Sequence, residues 1–470
     1  MNSKRFWIAL LALLLIFTLA AACGDDDDDD DNNDDADDDD DDDNNDDDDN
    51  DDDDDNDDDA GLKVGAARVD ISPIESVKMG GYGTYFLSEA LCRWSEGTHD
   101  PIYATAFAFQ NGSDEPVIQM TVDTVGIITT DVVVIQDRVA AQLGIAPERV
   151  VISATHNHQS PDTVGIWGVM LPPITGRDDV FIEQMIAGAV EAAGAAYEAM
   201  KPARVYAGVG EETAFHYNGQ WTIDPQAPLD STLSVLAFLD DEDDIIGTIV
   251  NWACHPMVMG PQNNMTSADF LGPFYRIMDE ELGGVNMFIN GNLGAGVHPQ
   301  NDEYPINYTG RSWGSWEITE FYGAGIAASA QEILGDVQRV YDTTIDLRTL
   351  VVEGELNNPF FALVGALGLI PRDIPPLGGV GVTTMTAWRL GPVYFATAPG
   401  EVSPRVGLEL REVMNGEVKI IANIGQDWLG YIMTKQEYRN LLYIYFSILS
   451  VGPDMGDSVI GAYEEIFSDF

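Results

Sequence analysis

From residue 116 onward the chain alternates between two hydrophobic periods. Short continuous apolar runs predict strands over 116–122, 149–154, 231–238, 245–253, 285–289, 387–397 and 418–424. Between them, segments with apolar residues at every third or fourth position predict helices over 131–143, 180–200, 270–282, 318–334 and 403–414. Strands alternating with helices predict an α/β fold in which a mixed sheet, or two packed sheets, is flanked by helices. Strand order is not legible in such a pattern. No repeat, linker or second low-complexity stretch interrupts it after residue 60, so residues 61–470 are expected to form a single large domain.

The first sixty residues follow other rules. Lys4 and Arg5 precede an apolar stretch over 6–19 and the small residues Ala20, Ala21 and Ala22, and Cys23 follows at once. This predicts an export signal over 1–22, because the apolar stretch is shorter than the roughly 20 residues a membrane span needs. The position of Cys23 resembles a bacterial lipobox, which implies lipidation of Cys23. Residues 25–59 are Asp and Asn except for Ala36, so they cannot bury enough surface to offset the entropy of ordering. A disordered tether over 23–60 is expected, reaching on the order of 100 Å when extended by its own repulsion. The expected location is outside the cytoplasmic membrane, periplasmic or at the cell surface, with a lipid anchor holding the chain to it.

The formal charge is −58, but 28 of the 80 acidic residues lie in 25–59. From residue 61 onward about −32 remains, from 52 acids against 20 Lys and Arg. Nucleic-acid binding is excluded, since neutralising phosphates needs clustered Lys and Arg that this chain lacks. Cys92 and Cys254 leave room for one disulfide at most, so no disulfide framework holds the fold.

Candidate chemistry gathers where the apolar runs stop. The run Val150-Val151-Ile152-Ser153-Ala154-Thr155 leads into His156-Asn157-His158, and in an extended chain residues i and i+2 point to the same side. The run ending in Asn251-Trp252-Ala253-Cys254 leads into His255, another ends in Pro399-Gly400-Glu401, and the 116–122 run ends at Asp123. Polar residues at the carboxyl ends of strands are where an α/β sheet usually places its site. Imidazoles converging with a carboxylate suit zinc, which takes N, O and S ligands and leaves one position for water when catalytic.

These segments resemble the neutral/alkaline ceramidase family from about Val64 to near the C-terminus. The matching pieces are 65–73 (Gly-Ala-Ala-Arg-Val-Asp-Ile-Ser-Pro), 153–158, Asn251-Trp252-Ala253-Cys254-His255-Pro256, Ser267-Ala268-Asp269, Pro399-Gly400-Glu401, and Gly430-Tyr431-Ile432-Met433-Thr434 with Glu437-Tyr438. The resemblance implies a zinc amidohydrolase with His156, His255, Glu401 and Tyr431 as ligands. It also implies that His158 assists the reaction and that Tyr443 helps hold the oxyanion. Asp123 and Asp269 are expected to orient the ligand imidazoles. The implied substrate is a lipid-like small molecule with an amide bond. The longer members' additional C-terminal domain is expected to have no counterpart here.

Three departures bear on substrate. The family's usual Thr-His-Thr-His-Ser reads Thr155-His156-Asn157-His158-Gln159, its Asn-Arg pair reads Asn218-Gly219, and its Gly-Asp-Val-Ser-Pro segment reads Ala295-Gly296-Val297-His298-Pro299. The metal ligands are thus retained, while residues that read ceramide are not. A zinc hydrolase of another amide or an ester, or a non-catalytic surface protein that binds a lipid or glycan, are the competing expectations. Two apolar stretches, 166–171 and 360–364, are candidates for an acyl pocket or a membrane contact, with core packing the stronger expectation.

Overall fold

The computed structural model describes residues 61–83, 88–306, 313–468 and 470. The signal, Cys23 and the acidic tether lie outside the described residues.

Three sheets carry the fold where the pattern predicted one or two. The first comprises β1 (Leu62–Asp70), β2 (Tyr103–Asn111), β3 (Val117–Val122), β4 (Val150–Ala154) and β5 (Lys201–Pro202), in the order β4-β3-β2-β1-β5. The second comprises β6 (Arg204–Glu211), β7 (Thr232–Leu239), β8 (Ile245–Trp252), β9 (Val285–Asn290) and β10 (Gln338–Val340), in the order β9-β8-β7-β6-β10. The third runs β11-β12-β13-β14, from β11 (Ile345–Glu355) through β12 (Val380–Leu390) and β13 (Val393–Thr397) to β14 (Val418–Ala422).

One topology recurs in all three. An antiparallel pair is followed by a helix that crosses over to a parallel edge strand: β2-β3 then α1 (Thr129–Leu143) and β4, β7-β8 then α3 (Leu271–Leu282) and β9, β12-β13 then α6 (Pro404–Val413) and β14. The sequence carries no matching repeat, because only the order of strand and helix recurs. The remaining long helices are α2 (Asp179–Glu198), α4 (Trp316–Leu334), α5 (Pro359–Ala366) and α7 (Met455–Ser468).

Local chemistry sets the ends of these helices. Asp178 caps α2 by accepting from the Val180 and Phe181 amides, and Ser403 caps α6, whose first residue is Pro404. Gly144 ends α1 at φ 72°, a left-handed conformation that costs glycine least.

The strands of the parallel pairs are buried on both faces, which is why they read as unbroken apolar runs. The inner faces of the three sheets share one core in which Phe107, Phe109, Phe238, Ile289, Trp388 and Phe395 meet, the last two stacked at 4.1 Å. Helices α2, α4 and α7 cover the outer faces of the first, second and third sheets.

One predicted element changes. The single strand expected over 387–397 is two antiparallel strands, with Ala387 opposite Ala396, because Gly391 at φ 55° and Pro392 turn the chain back. The stretches 166–171 and 360–364 contribute to the core as expected, except Leu171, which is exposed: Trp167 and Phe361 are buried and both lie against Trp428, with ring centroids 6.3 and 5.9 Å away. Cys92 and Cys254 are buried and unpaired. No helix among the described residues is long and apolar enough to cross a membrane.

Candidate metal centre

The carboxyl ends of the parallel strands meet, and amide side chains tie them together. Asn290, at the end of β9, donates from Nδ2 to the carbonyls of Thr155 (2.8 Å) and Cys254 (2.7 Å), and its Oδ1 accepts from the Cys254 amide at 3.1 Å. It thereby joins the residues that precede His156 and His255. Asn423, just after β14, donates its amide to the Asn290 carbonyl (2.9 Å), and its Oδ1 accepts from the Val402 amide (3.1 Å), beside Glu401.

His156 and His158 do converge, but not by strand alternation. β4 ends at Ala154, and His156 sits at φ 63° in the left-handed region, so the backbone turns where an extended chain was expected. The turn still brings His156 Nε2 to 3.1 Å from His158 Nε2. His156 Nδ1 lies 2.6 Å from the Val125 carbonyl and His255 Nδ1 lies 2.6 Å from the Val297 carbonyl. Each of these rings donates from Nδ1 to its carbonyl, which leaves the Nε2 lone pair for the site.

Those two Nε2 atoms face one carboxylate oxygen. Glu401 Oε2 lies 3.4 Å from His156 Nε2 and 3.7 Å from His255 Nε2, is buried, and makes no hydrogen bond of normal geometry. Its partner Oε1 accepts from Trp428 Nε1 at 3.2 Å. Burial alone would raise the Glu401 carboxyl, but His156 and His255 hold it well below the usual carboxylate range. Burial lowers His255 and, with His156 and His255 beside it, pushes His158 well below the usual imidazole range. Imidazole nitrogens turned on a buried carboxylate oxygen that lacks a hydrogen-bond partner form a donor set that fits a divalent cation. His156, His158 and His255 together form a buried group able to hold a metal.

Tyr431 sits on a two-residue strand that pairs with Glu401–Val402, and burial, then the Glu401 charge, raises its phenol well above the usual range. Tyr443 shares an apolar cluster with Tyr431, but its hydroxyl donates to Asp224 Oδ2 at 3.0 Å. Two residues on, Tyr445 also feels Glu401, and desolvation together with that charge pushes it up to about 12.

Neither expected orienting carboxylate reaches an imidazole. Asp123 Oδ1 accepts from the Thr155 and Tyr275 hydroxyls and Oδ2 from the Tyr103 amide, while Asp269 accepts from the amides of Val258, Met259 and Phe270. Both hold backbone beside the site, and the orienting role falls to the Val125 and Val297 carbonyls.

Trp428, Asn290, Asn423 and His298 escaped the sequence reading. Asn290 and Asn423 end apolar runs, the same signal that marked His156. His298 lies with its ring centroid 5.3 Å from His255, and burial, then His255, lowers it to about 3. A side chain at Gly219 would meet it, since a Cβ there would stand 3.2 Å from His298 Nδ1.

A buried imidazole and carboxylate donor set at the strand ends of an α/β domain defines the chain as a candidate metalloenzyme. The family model described as neutral/alkaline non-lysosomal ceramidase, N-terminal, matches residues 62–338, and the chain belongs to that family. It is similar to the neutral ceramidase of Pseudomonas aeruginosa, 21% identical over 87% of this chain and 71% of that protein. The crystal structure of neutral ceramidase from the same organism shares the fold at a TM-score of 0.72, with 20% identity over 87% of this chain and 74% of that one. A ceramidase complexed with C2 does so at 0.70, with 19% identity over the same shares.

Proposed function

We propose that this chain is a zinc-dependent amidohydrolase of a lipid-like N-acyl substrate, exported and held to a bacterial membrane by a lipid on Cys23. The observation that carries the reading is the unsatisfied Glu401 Oε2 facing Nε2 of His156 and His255. His156, His255 and Glu401 would hold the ion, with Tyr431 as the fourth donor. Bound zinc supplies a Lewis acid that lowers the pKa of a coordinated water towards about 7.

The protein's own groups do the rest. Asn290 and the Val125 and Val297 carbonyls fix the ring orientations, so the centre is organised before substrate arrives. His158 is kept neutral and can accept a proton at a ring nitrogen, then return it to the leaving amine. Tyr443, whose hydroxyl is held by Asp224, or Tyr445, whose phenol feels the Glu401 charge, would donate to the oxyanion.

The test is metal analysis of the gently purified protein together with turnover of N-acylsphingosine, simple amides and simple esters. About one zinc per chain and cleavage of the N-acyl lipid are expected. Absence of zinc with no uptake on addition sinks the reading. Zinc with cleavage of esters alone moves the chain to another hydrolase class.

A further inference from the structure

Beside the metal centre, on the side of His298, lies a second cavity of about 490 Å³, within the range of roughly 300–1,000 Å³ usual for small-molecule sites. Its lining is of a particular kind. Tyr217 and Trp221 stand with ring centroids 6.4 Å apart, and Thr213, Asn301 and Asp302 supply a hydroxyl, an amide and a carboxylate. Trp221 is 42% exposed, and its indole is fixed by donating to the Ala227 carbonyl at 2.8 Å.

His216 forms a buried part of the lining. Only 3% of it is exposed, and its Nδ1 pairs with the Ala253 carbonyl at 2.7 Å. Burial lowers this imidazole to about 4, so near neutral pH it adds no charge to the cavity.

Apolar ring faces beside several hydrogen-bonding groups of mixed sign, with no Lys or Arg among the described lining residues, suit a neutral ligand that carries C–H faces and many hydroxyls. A sugar ring has both. The cavity also adjoins the chemistry. Tyr217 lies 6.0 Å from His298, which lies 5.3 Å from His255, and His216 is bonded to the carbonyl two residues before His255.

We infer that this cavity is a subsite for a neutral sugar carried on the polar end of the substrate, so that the enzyme cleaves the amide of a glycosylated N-acyl lipid. The binding of the sugar stands on the cavity alone; its place on the substrate rests on the hydrolase reading above.

The full-length protein tests this in two arms. Saturation-transfer NMR with methyl glycosides of glucose, galactose and N-acetylglucosamine should detect millimolar binding of at least one, weakened about tenfold or more in Trp221→Ala. Turnover of a 1-O-glycosylated N-acylsphingosine should exceed that of N-acylsphingosine in kcat/KM. Trp221→Ala should remove that preference by raising KM while leaving the unglycosylated substrate unchanged. Asp302→Ala, at an exposed position, serves as a second variant should Trp221→Ala fail to fold. Absence of glycoside binding, with equal turnover of both lipids in wild type, overturns the inference and leaves the hydrolase reading intact. Trp221-dependent glycoside binding without turnover of either lipid supports the subsite and sinks the hydrolase reading instead.

Discussion

His156 and His158 stand two residues apart, yet their rings stand in different relations to Glu401. His156 has its Nδ1 anchored and its Nε2 on the carboxylate, whereas His158 Nε2 lies against His156 Nε2 at 3.1 Å. His156→Ala should therefore lose zinc and activity together. His158→Ala should keep zinc and lose turnover by about 10²-fold or more, as removal of a proton-transferring group does. Bound zinc and kcat measured on both variants decide the matter; equal zinc loss would make both residues ligands.

Asp123 and Asp269 give a second consequence at this scale. Burial raises each carboxyl to about 6 from an ordinary value of 3.8, so between these values the folded protein holds more protons than the unfolded chain. Their contribution to stability is complete below about 4 and is lost as pH rises through about 6. Asp123→Asn, which cannot ionise, should gain in Tm relative to wild type as pH is raised across that window. A difference that stays flat with pH would show that Asp123 ionises alike in the folded and unfolded chain.

At the scale of elements, the three parallel strand pairs matter because their carboxyl ends are tied into one body. Asn290 supplies the tie between β4 and β8, and its loss leaves two buried carbonyls without their donor. Asn290→Ala should cost about 3 kcal/mol in denaturant unfolding. It should also weaken zinc binding about 10- to 100-fold, as loss of outer-shell partners typically does. Unfolding free energy and a competitive zinc titration check the two parts separately, and full zinc affinity in a destabilised variant would reduce Asn290 to a packing role.

The edge strands of these pairs were legible in sequence because burial on both faces makes them unbroken apolar runs. β1 and β11 were not, since half of their positions carry polar or small residues in contact with solvent. The carbonyl partners of His156 and His255 could not be read either, because any residue supplies a carbonyl and only the turn at His156 selects Val125. Tyr443 followed from the family resemblance, which does not say which way a short helical turn aims its hydroxyl.

At the scale of the whole molecule, charge and anchoring make opposite demands. Residues 61–470 carry about −32 and residues 25–59 a further −28, so an anionic bilayer repels both parts. Residence at a membrane would then depend on the lipid proposed for Cys23. Cys23→Ala should release a correctly cleaved protein into the soluble fraction without changing its Tm or zinc content, because Cys23 lies outside the 61–470 domain. Membrane fractionation with N-terminal sequencing checks this, since an uncleaved signal could hold the variant by another route. The isolated 61–470 domain should likewise fail to sediment with anionic vesicles at low salt, where the Debye length of about 30 Å at 0.01 M leaves the repulsion largely unscreened. Should the cleaved variant stay with membranes, or the isolated domain adsorb to vesicles, the domain must carry its own membrane-binding face, and a lipid on Cys23 would not be what holds it there.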